Sequence, residues 1–217
     1  DGISIVALIG HTDWVCGTIE LKDGRILSWG DDNTLRVWDR DGVSVSVLIG
    51  HVASVKGGVE LSSGRILSWG YDNTLRLWDR DGNPVATLMR HADIVSGGIE
   101  LRDGRILSWS EDETLRLWDR NGVLIAVLIG HVGNVKGAIE IEDGRILSWG
   151  SDGTLRLWGN DSSPLVTIVA HEHDVNGVFV LKDGRILSWG DTTLRLWELD
   201  GTLLATLKGH EGAVNGM

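Results

Sequence analysis

Short apolar stretches alternate with polar turns along the whole chain. Segments of about five to seven residues rich in Val, Ile, Leu, Thr and Trp are separated by clusters of Asp, Asn and Gly, the pattern of short strands. No stretch has the i, i+3, i+4 spacing of an amphipathic helix. In the first unit the pattern predicts a strand over 14–21. Lys22-Asp23-Gly24-Arg25 then reads as a two-residue hairpin, with Asp-Gly supplying positive φ. A second strand is predicted over 25–30, a turn at Asp31-Asp32-Asn33, a third strand over 34–39, a turn at Arg40-Asp41-Gly42 and a fourth strand over 43–49. Counting back from a two-residue hairpin sets Trp29 opposite Thr18.

The same pattern returns throughout. His11, His51, His91, His131 and His171 are spaced by 40, and His210 follows after 39. Gly-Arg-Ile-Leu-Ser-Trp recurs at Gly24–Trp29, Gly64–Trp69, Gly104–Trp109, Gly144–Trp149 and Gly184–Trp189. A Thr-Leu-Arg-Val/Leu-Trp string ends at Trp38, Trp78, Trp118, Trp158 and Trp197. Four short antiparallel strands in each unit cannot bury both faces alone, and stacking unit on unit does so. The expectation is therefore an all-β chain, a β-propeller of tandem four-stranded antiparallel blades, five repeats in number. Residues 1–217 read as a single array with repeats at about 1–40, 41–80, 81–120, 121–160 and 161–199 and a partial sixth at 200–217.

Gly10-His11, Gly50-His51, Gly130-His131 and Gly209-His210, the turn aspartates, and Trp38-Asp39, Trp78-Asp79 and Trp118-Asp119 resemble the WD-repeat (WD40) β-propeller family. The resemblance spans essentially the whole chain. It departs where Arg90 and Ala170 replace the Gly before His, where Trp158-Gly159 and Trp197-Glu198 replace Trp-Asp, and where the fifth turn, Gly190-Asp191-Thr192-Thr193, is one residue short. It implies a buried hydrogen-bond network in each repeat. The members are His11, Ser28, Asp32 and Trp38; His51, Ser68, Asp72 and Trp78; His91, Ser108, Asp112 and Trp118; His131, Ser148, Asp152 and Trp158; and His171, Ser188, Asp191 and Trp197. His, Ser and Asp are also the residue types of a nucleophilic triad, but a catalytic set is needed once, and here it recurs with its tryptophan in every copy. No catalytic residue, cofactor or metal site follows.

Composition narrows the partners. Thirty-one acidic against 20 basic side chains give a formal charge of −11, which disfavours nucleic acid and anionic membrane. Cys16 is the only cysteine and can form no intrachain disulfide, which fits a reducing cytoplasm. Neither a charged-then-apolar leader nor an apolar run long enough to span a bilayer is visible. The chain opens on Asp1 rather than Met, so a processed start and export stay open.

Positions that differ between copies point to a binding rim. The family places the loop after each His and the residue before each turn aspartate on one rim. Trp14, Asp31, Lys56, Tyr71, Ile94, Glu111 and Lys136 would there contact protein or peptide partners. The function expected is a non-catalytic scaffold within a larger signalling or assembly protein. The alternative is a multivalent carbohydrate binder using Trp29, Trp69, Trp109, Trp149 and Trp189, but their small or medium expected cross-strand neighbours, Thr18, Gly58, Gly98, Ala138 and Val178, suggest core side chains packed between blades, each indole N–H needing an internal partner. Glu20, Glu60, Glu100 and Glu140, with Val180 in the fifth unit, read either as a ring attracting a cation or basic peptide or as salt-bridge partners of the Arg25-type or Arg36-type arginines. An outer-type strand is expected over 3–9, another over 202–207, and the start of a sixth inner strand over 210–217. Three ways of completing the array stay open: a piece of a longer propeller, a homo-oligomer sharing strands or blades, and a five-blade ring.

Overall fold

A computed structural model describes residues 6–209 and 212. Within them twenty strands, and no helix, form five four-stranded antiparallel sheets in tandem, a pattern consistent with a five-blade β-propeller. The first sheet is β1 (Val15–Glu20), β2 (Ile26–Gly30), β3 (Thr34–Trp38) and β4 (Ser44–Ile49). The second is β5 (Val55–Glu60), β6 (Ile66–Gly70), β7 (Thr74–Trp78) and β8 (Pro84–Met89). The third is β9 (Val95–Glu100), β10 (Ile106–Ser110), β11 (Thr114–Trp118) and β12 (Leu124–Ile129). The fourth is β13 (Val135–Glu140), β14 (Ile146–Gly150), β15 (Thr154–Trp158) and β16 (Pro164–Val169). The fifth is β17 (Gly177–Val180), β18 (Ile186–Trp189), β19 (Thr193–Trp197) and β20 (Leu203–Lys208). Each sheet keeps its strands in chain order.

The chain divides into two compact units, Asp1–Glu100 with Gly104–Ile106 and Trp118–Leu124, and Leu101–Asp103 with Leu107–Leu117 and Ile125–Met217. In the first, Leu27, Leu35, Val37 and Leu48 of the first sheet pack with Val55, Ile66 and Trp78 of the second. In the second, Leu147, Leu155, Leu157 and Ile168 of the fourth sheet pack with Val175, Ile186 and Trp197 of the fifth. Alternation explains this: in β3 and its counterparts the leucines point into one inter-sheet core, while each terminal tryptophan faces the other.

The first hairpin differs from the two-residue reading. Leu21 N–H donates to the Arg25 carbonyl (2.7 Å), Gly24 N–H donates to the Leu21 carbonyl (2.8 Å), and Gly24 has φ +83°. This is a three-residue loop closed by a left-handed glycine, which shifts the pairing by one residue. Trp29 therefore lies opposite Gly17, and Thr18 opposite Ser28. Residues 6–9 form no strand. Residues 3–5 and most of 210–217, where an outer strand and an inner strand were expected, lie outside the described residues.

Candidate functional site

In each of the first, second and fourth repeats, one histidine, one serine, one aspartate and one tryptophan meet in a directional chain. Trp38 Nε1–H donates to Ser28 Oγ (2.8 Å), which lies 2.8 Å from His11 Nε2, and His11 Nδ1 is 2.9 Å from Asp32. The second repeat has 2.8 Å at all three steps. The fourth has 2.9 Å from Trp158 to Ser148, 2.9 Å from Ser148 to His131, and 3.0 Å from His131 to Asp152. The carboxylate assigns the tautomer: Nδ1 carries the proton, leaving Nε2 to accept from the serine hydroxyl. The aspartate also closes its own turn. Asp72 accepts the N–H and hydroxyl of Thr74 and the N–H of Val52.

Burial alone would raise the Asp72 and Asp152 carboxyls. Hydrogen bonds from His51 and Thr74 on the one, and from His131 and Val132 on the other, outweigh it and hold both well below the ordinary carboxylate range. In the third repeat Asp112 accepts the Thr114 N–H (3.1 Å) and hydroxyl (2.6 Å), and His91 meets Trp118 edge-on at 6.5 Å. Ser108 and His91 are buried there.

The fifth repeat keeps two of the three links as hydrogen bonds. Ser188 Oγ lies 2.9 Å from His171 Nε2 and 3.0 Å from Trp197 Nε1. His171 Nδ1 makes an ion-pair contact of 3.2 Å with Asp191 Oδ2 and has no hydrogen-bond partner among the described atoms. Burial lowers the His171 pKa, and the Arg195 charge adds to this against the pull of Asp191. Asp191, raised by burial but bonded by Thr193, is held at about 2. The shortened turn also recruits Arg195, which donates to the Ala170 carbonyl at 2.7 Å.

The five tandem four-stranded sheets and these His, Ser, Asp and Trp sets are joined by a sequence finding. Residues 2–39 match the family described as WD domain, G-beta repeat. This match and the repeated four-stranded sheets fit a WD40-type repeat protein. A comparison with curated protein sequences finds no match.

The aspartate after the WD40 tryptophan has its own task. Asp39 accepts the N–H groups of Asp41 and Val43, capping the β3–β4 turn, and Asp79 and Asp119 do the same in their repeats. Where Gly159 and Glu198 stand instead, Asp161 and Asp200, two residues on, accept from Ser163 and Thr202. The departure from Trp-Asp is thus compensated within the turn.

The residues expected on a binding rim are placed as follows. Trp14 is 81% exposed, Tyr71 is exposed, and Ile94 is half-buried. Lys56 Nζ sits 5.5 Å over the Tyr71 ring. Asp31 accepts from the Ser54 hydroxyl and from the exposed Cys16 thiol (3.2 Å), whose pKa is raised by burial and by Asp31. Glu111 accepts from Asn134 at 3.2 Å. Lys136 is committed to Asp174 (2.5 Å) and Asn176 (3.1 Å), which leaves it a clasp to the next repeat rather than an open cation.

Two repeated sets are placed by their neighbours. The indole of Trp29 and its counterparts lies flat on a cross-strand glycine. A Cβ on Gly17, Gly57, Gly137 or Gly177 would fall 2.1–2.5 Å from the Cζ2 of its tryptophan. Trp29 is only 8% exposed, and the buried N–H groups of Trp29, Trp109 and Trp189 lack the expected internal partner among the described atoms. The glutamates pair with neither arginine set. Glu60 accepts from Lys22 N–H (2.6 Å), Glu100 from Ser62 N–H (2.5 Å) and hydroxyl (2.8 Å), and Glu140 from Arg102 N–H (2.8 Å). The sequence hid this because the donors are backbone groups of the preceding repeat. Among the described residues no group of three His, Cys, Asp or Glu could hold a metal, and no helix is long and apolar enough to cross a membrane.

Proposed function

We propose that this WD40 array is a non-catalytic scaffold for protein or peptide ligands, serving as a module of a larger signalling or assembly protein in the cytoplasm. Nucleic acid and membrane are not among the partners we assign, in keeping with the net charge of −11. The exposed free Cys16 fits a reducing compartment. The tetrads speak for a structural role: each serine oxygen is enclosed between an indole N–H and an imidazole, and Ser68, Ser148 and Ser188 have no exposed surface. A nucleophile needs room for an acyl or phosphoryl group beside it, and these have none.

The observation that carries the binding role is Trp14, a large aromatic side chain 81% exposed on the loop after the first histidine, while the scaffold positions around it are repeated. Tyr71, capped by Lys56, adds a second aromatic contact of a kind frequent in protein interfaces. Peptides selected from a displayed random library on the wild-type chain are expected to lose binding by about tenfold or more to the Trp14→Ala, Tyr71→Ala double variant, at an unchanged melting temperature. Retained binding would remove this rim as the site. The carbohydrate alternative has less support because the repeated indoles pack on glycine backbone. A glycan array that quenches tryptophan fluorescence would favour it.

A further inference from the structure

At the β1–β2 hairpin and its counterparts, successive repeats are clasped by contacts of one kind. Lys22 N–H donates to the Glu60 carboxylate and Lys22 Nζ to the Leu61 carbonyl (2.9 Å), and Arg25 reaches the Arg80 carbonyl (3.1 Å). Ser62 donates to Glu100 from both its N–H and its hydroxyl, and Arg65 reaches the Arg120 carbonyl (2.5 Å). Arg102 N–H donates to Glu140, and its guanidinium donates to the Ile141 (3.1 Å) and Glu142 (2.7 Å) carbonyls.

The fourth and fifth sheets share one compact unit, and their hairpins meet without any of these contacts. Val180 stands where a glutamate would accept the Glu142 N–H, which has no acceptor among the described residues. Glu142 stands where Lys22 or Arg102 donates to the next hairpin, and its carboxylate has no partner among the described residues either. Arg145 is held by Asp143 at 2.5 Å and does not cross. Away from the hairpins the same joint is closed. Leu147, Leu155 and Leu157 share a core with Val175 and Trp197, Val175 N–H donates to the Gly150 carbonyl (3.0 Å), and Lys136 pairs with Asp174.

What the missing contacts leave is a partly open cavity of about 210 Å³, with an apolar wall of Ile141, Val180, Leu181 and Leu199 and the exposed acids Glu142 and Asp143. A Cβ on Gly24 or Gly104 would meet Arg40 or Arg120. One on Gly184, which also lines the cavity, would meet nothing within 4 Å, because Leu199 stands in the place of that arginine.

We infer that this cavity is a binding site for a peptide segment in which an aliphatic residue adjoins a lysine or arginine. The aliphatic side chain fills the apolar wall, since a space of this size takes one such side chain and is smaller than a cofactor site. The carbonyl of that residue accepts the Glu142 N–H, as the Glu140 carboxylate accepts from Arg102. The basic side chain meets the Glu142 carboxylate, the acid that no arginine already neutralises. A ligand carboxylate would satisfy the same N–H but would face Glu142 and Asp143, so a neutral acceptor beside a cation is favoured. The site lies at the strand ends away from the proposed rim and does not rest on it.

Amide NMR titration of the 217-residue chain with acetyl-Leu-Lys-amide tests this. Saturable shifts at the Glu142, Val180 and Leu199 amides are expected, half-complete at about 1 mM, with acetyl-Leu-Glu-amide weaker by about tenfold or more. Val180→Glu supplies the missing acceptor and fills the cavity, so it should abolish the shifts while the melting temperature holds or rises. Glu142→Gln keeps the N–H and the cavity and should remove the discrimination between the two peptides, whereas Trp14→Ala should leave the titration unchanged. No saturation by about 10 mM, equal binding of the two peptides, or shifts that survive Val180→Glu would overturn the inference. Should Val180→Glu fail to fold, Glu142→Gln decides alone, since its side chain is exposed and unpartnered among the described residues.

Discussion

The fourth and fifth repeats lie in the same compact unit and share the Gly-Arg-Ile-Leu-Ser-Trp and Thr-Leu-Arg-Leu-Trp strings, yet one closes its polar network and the other does not. Asp152 accepts from His131, Val132, Thr154 N–H and the Thr154 hydroxyl. Asp191 keeps the two Thr193 bonds, gains a long contact to Arg195, and leaves His171 Nδ1 unbonded. The missing residue removes the left-handed corner that Gly153 provides at φ +72°. Even so, β18 and β19 hold the register of β14 and β15, so the ladder and the serine bridge tolerate a shorter turn that the histidine–aspartate bond does not. A second difference has another cause. Leu147 and Leu187 occupy equivalent positions, but among the described residues only Leu147 has a following sheet to cover it, so burial is decided by the neighbour and not by the residue.

The largest expected effect separates the two networks. Asp152→Ala strands three or four donors and should cost about 3 kcal/mol, whereas Asp191→Ala should cost about 1–2 kcal/mol, read from urea midpoints. Equal costs would mean that the 3.2 Å His171–Asp191 approach is worth a full bond.

A smaller effect tests the left-handed corner itself. The third turn keeps full length but sets Glu113 at φ +67°, where the others use Asn33, Asn73 or Gly153. Glu113→Gly should therefore stabilise by about 0.5–1 kcal/mol in the same assay. No gain would show that the corner is not strained.

The smallest effect is a pH step. His171 has a folded pKa below the ordinary 6.5, so its contribution is complete above 6.5 and is lost as pH falls beneath it, when the unfolded chain takes up a proton that the buried ring does not. Asp191, lowered from 3.8 to about 2, adds stability above 3.8 that is lost as pH falls toward 2. His171→Gln should flatten the upper step and shrink the lower one, since His171 helps to hold the Asp191 carboxyl down. An upper step that survives the substitution would assign it to another group.

Constant spacing made the repeats legible, because identical residues every 40 positions can only be equivalent sites in one kind of unit. The strand pattern was readable for the same reason, whereas the meeting of His, Ser and Trp was implied by the resemblance to the WD-repeat family. Register was not readable: Asp-Gly suits both a two-residue and a three-residue loop, and only the Leu21–Arg25 hydrogen bond decides, moving Trp29 from Thr18 to Gly17. The partners of Glu60 and Lys136 were hidden because both reach into another repeat, Glu60 to a backbone donor and Lys136 to Asp174. Lys136 thus looked like a free rim cation when only its side-chain type was known.

The glutamate clasp has a consequence for how such an array changes over generations. The donor is a main-chain N–H, present whether the donor residue is Lys22, Ser62 or Arg102. Any copy that keeps its glutamate can therefore follow any other, and unequal crossing-over can insert, delete or reorder whole units without rewriting a joint. The fifth unit is the exception, since Val180 cannot accept, and a cavity of about 210 Å³ near Glu142 and Val180 stands at that joint. Of the five copies it is the one whose transposition to another place in the gene would leave a weaker seam behind it.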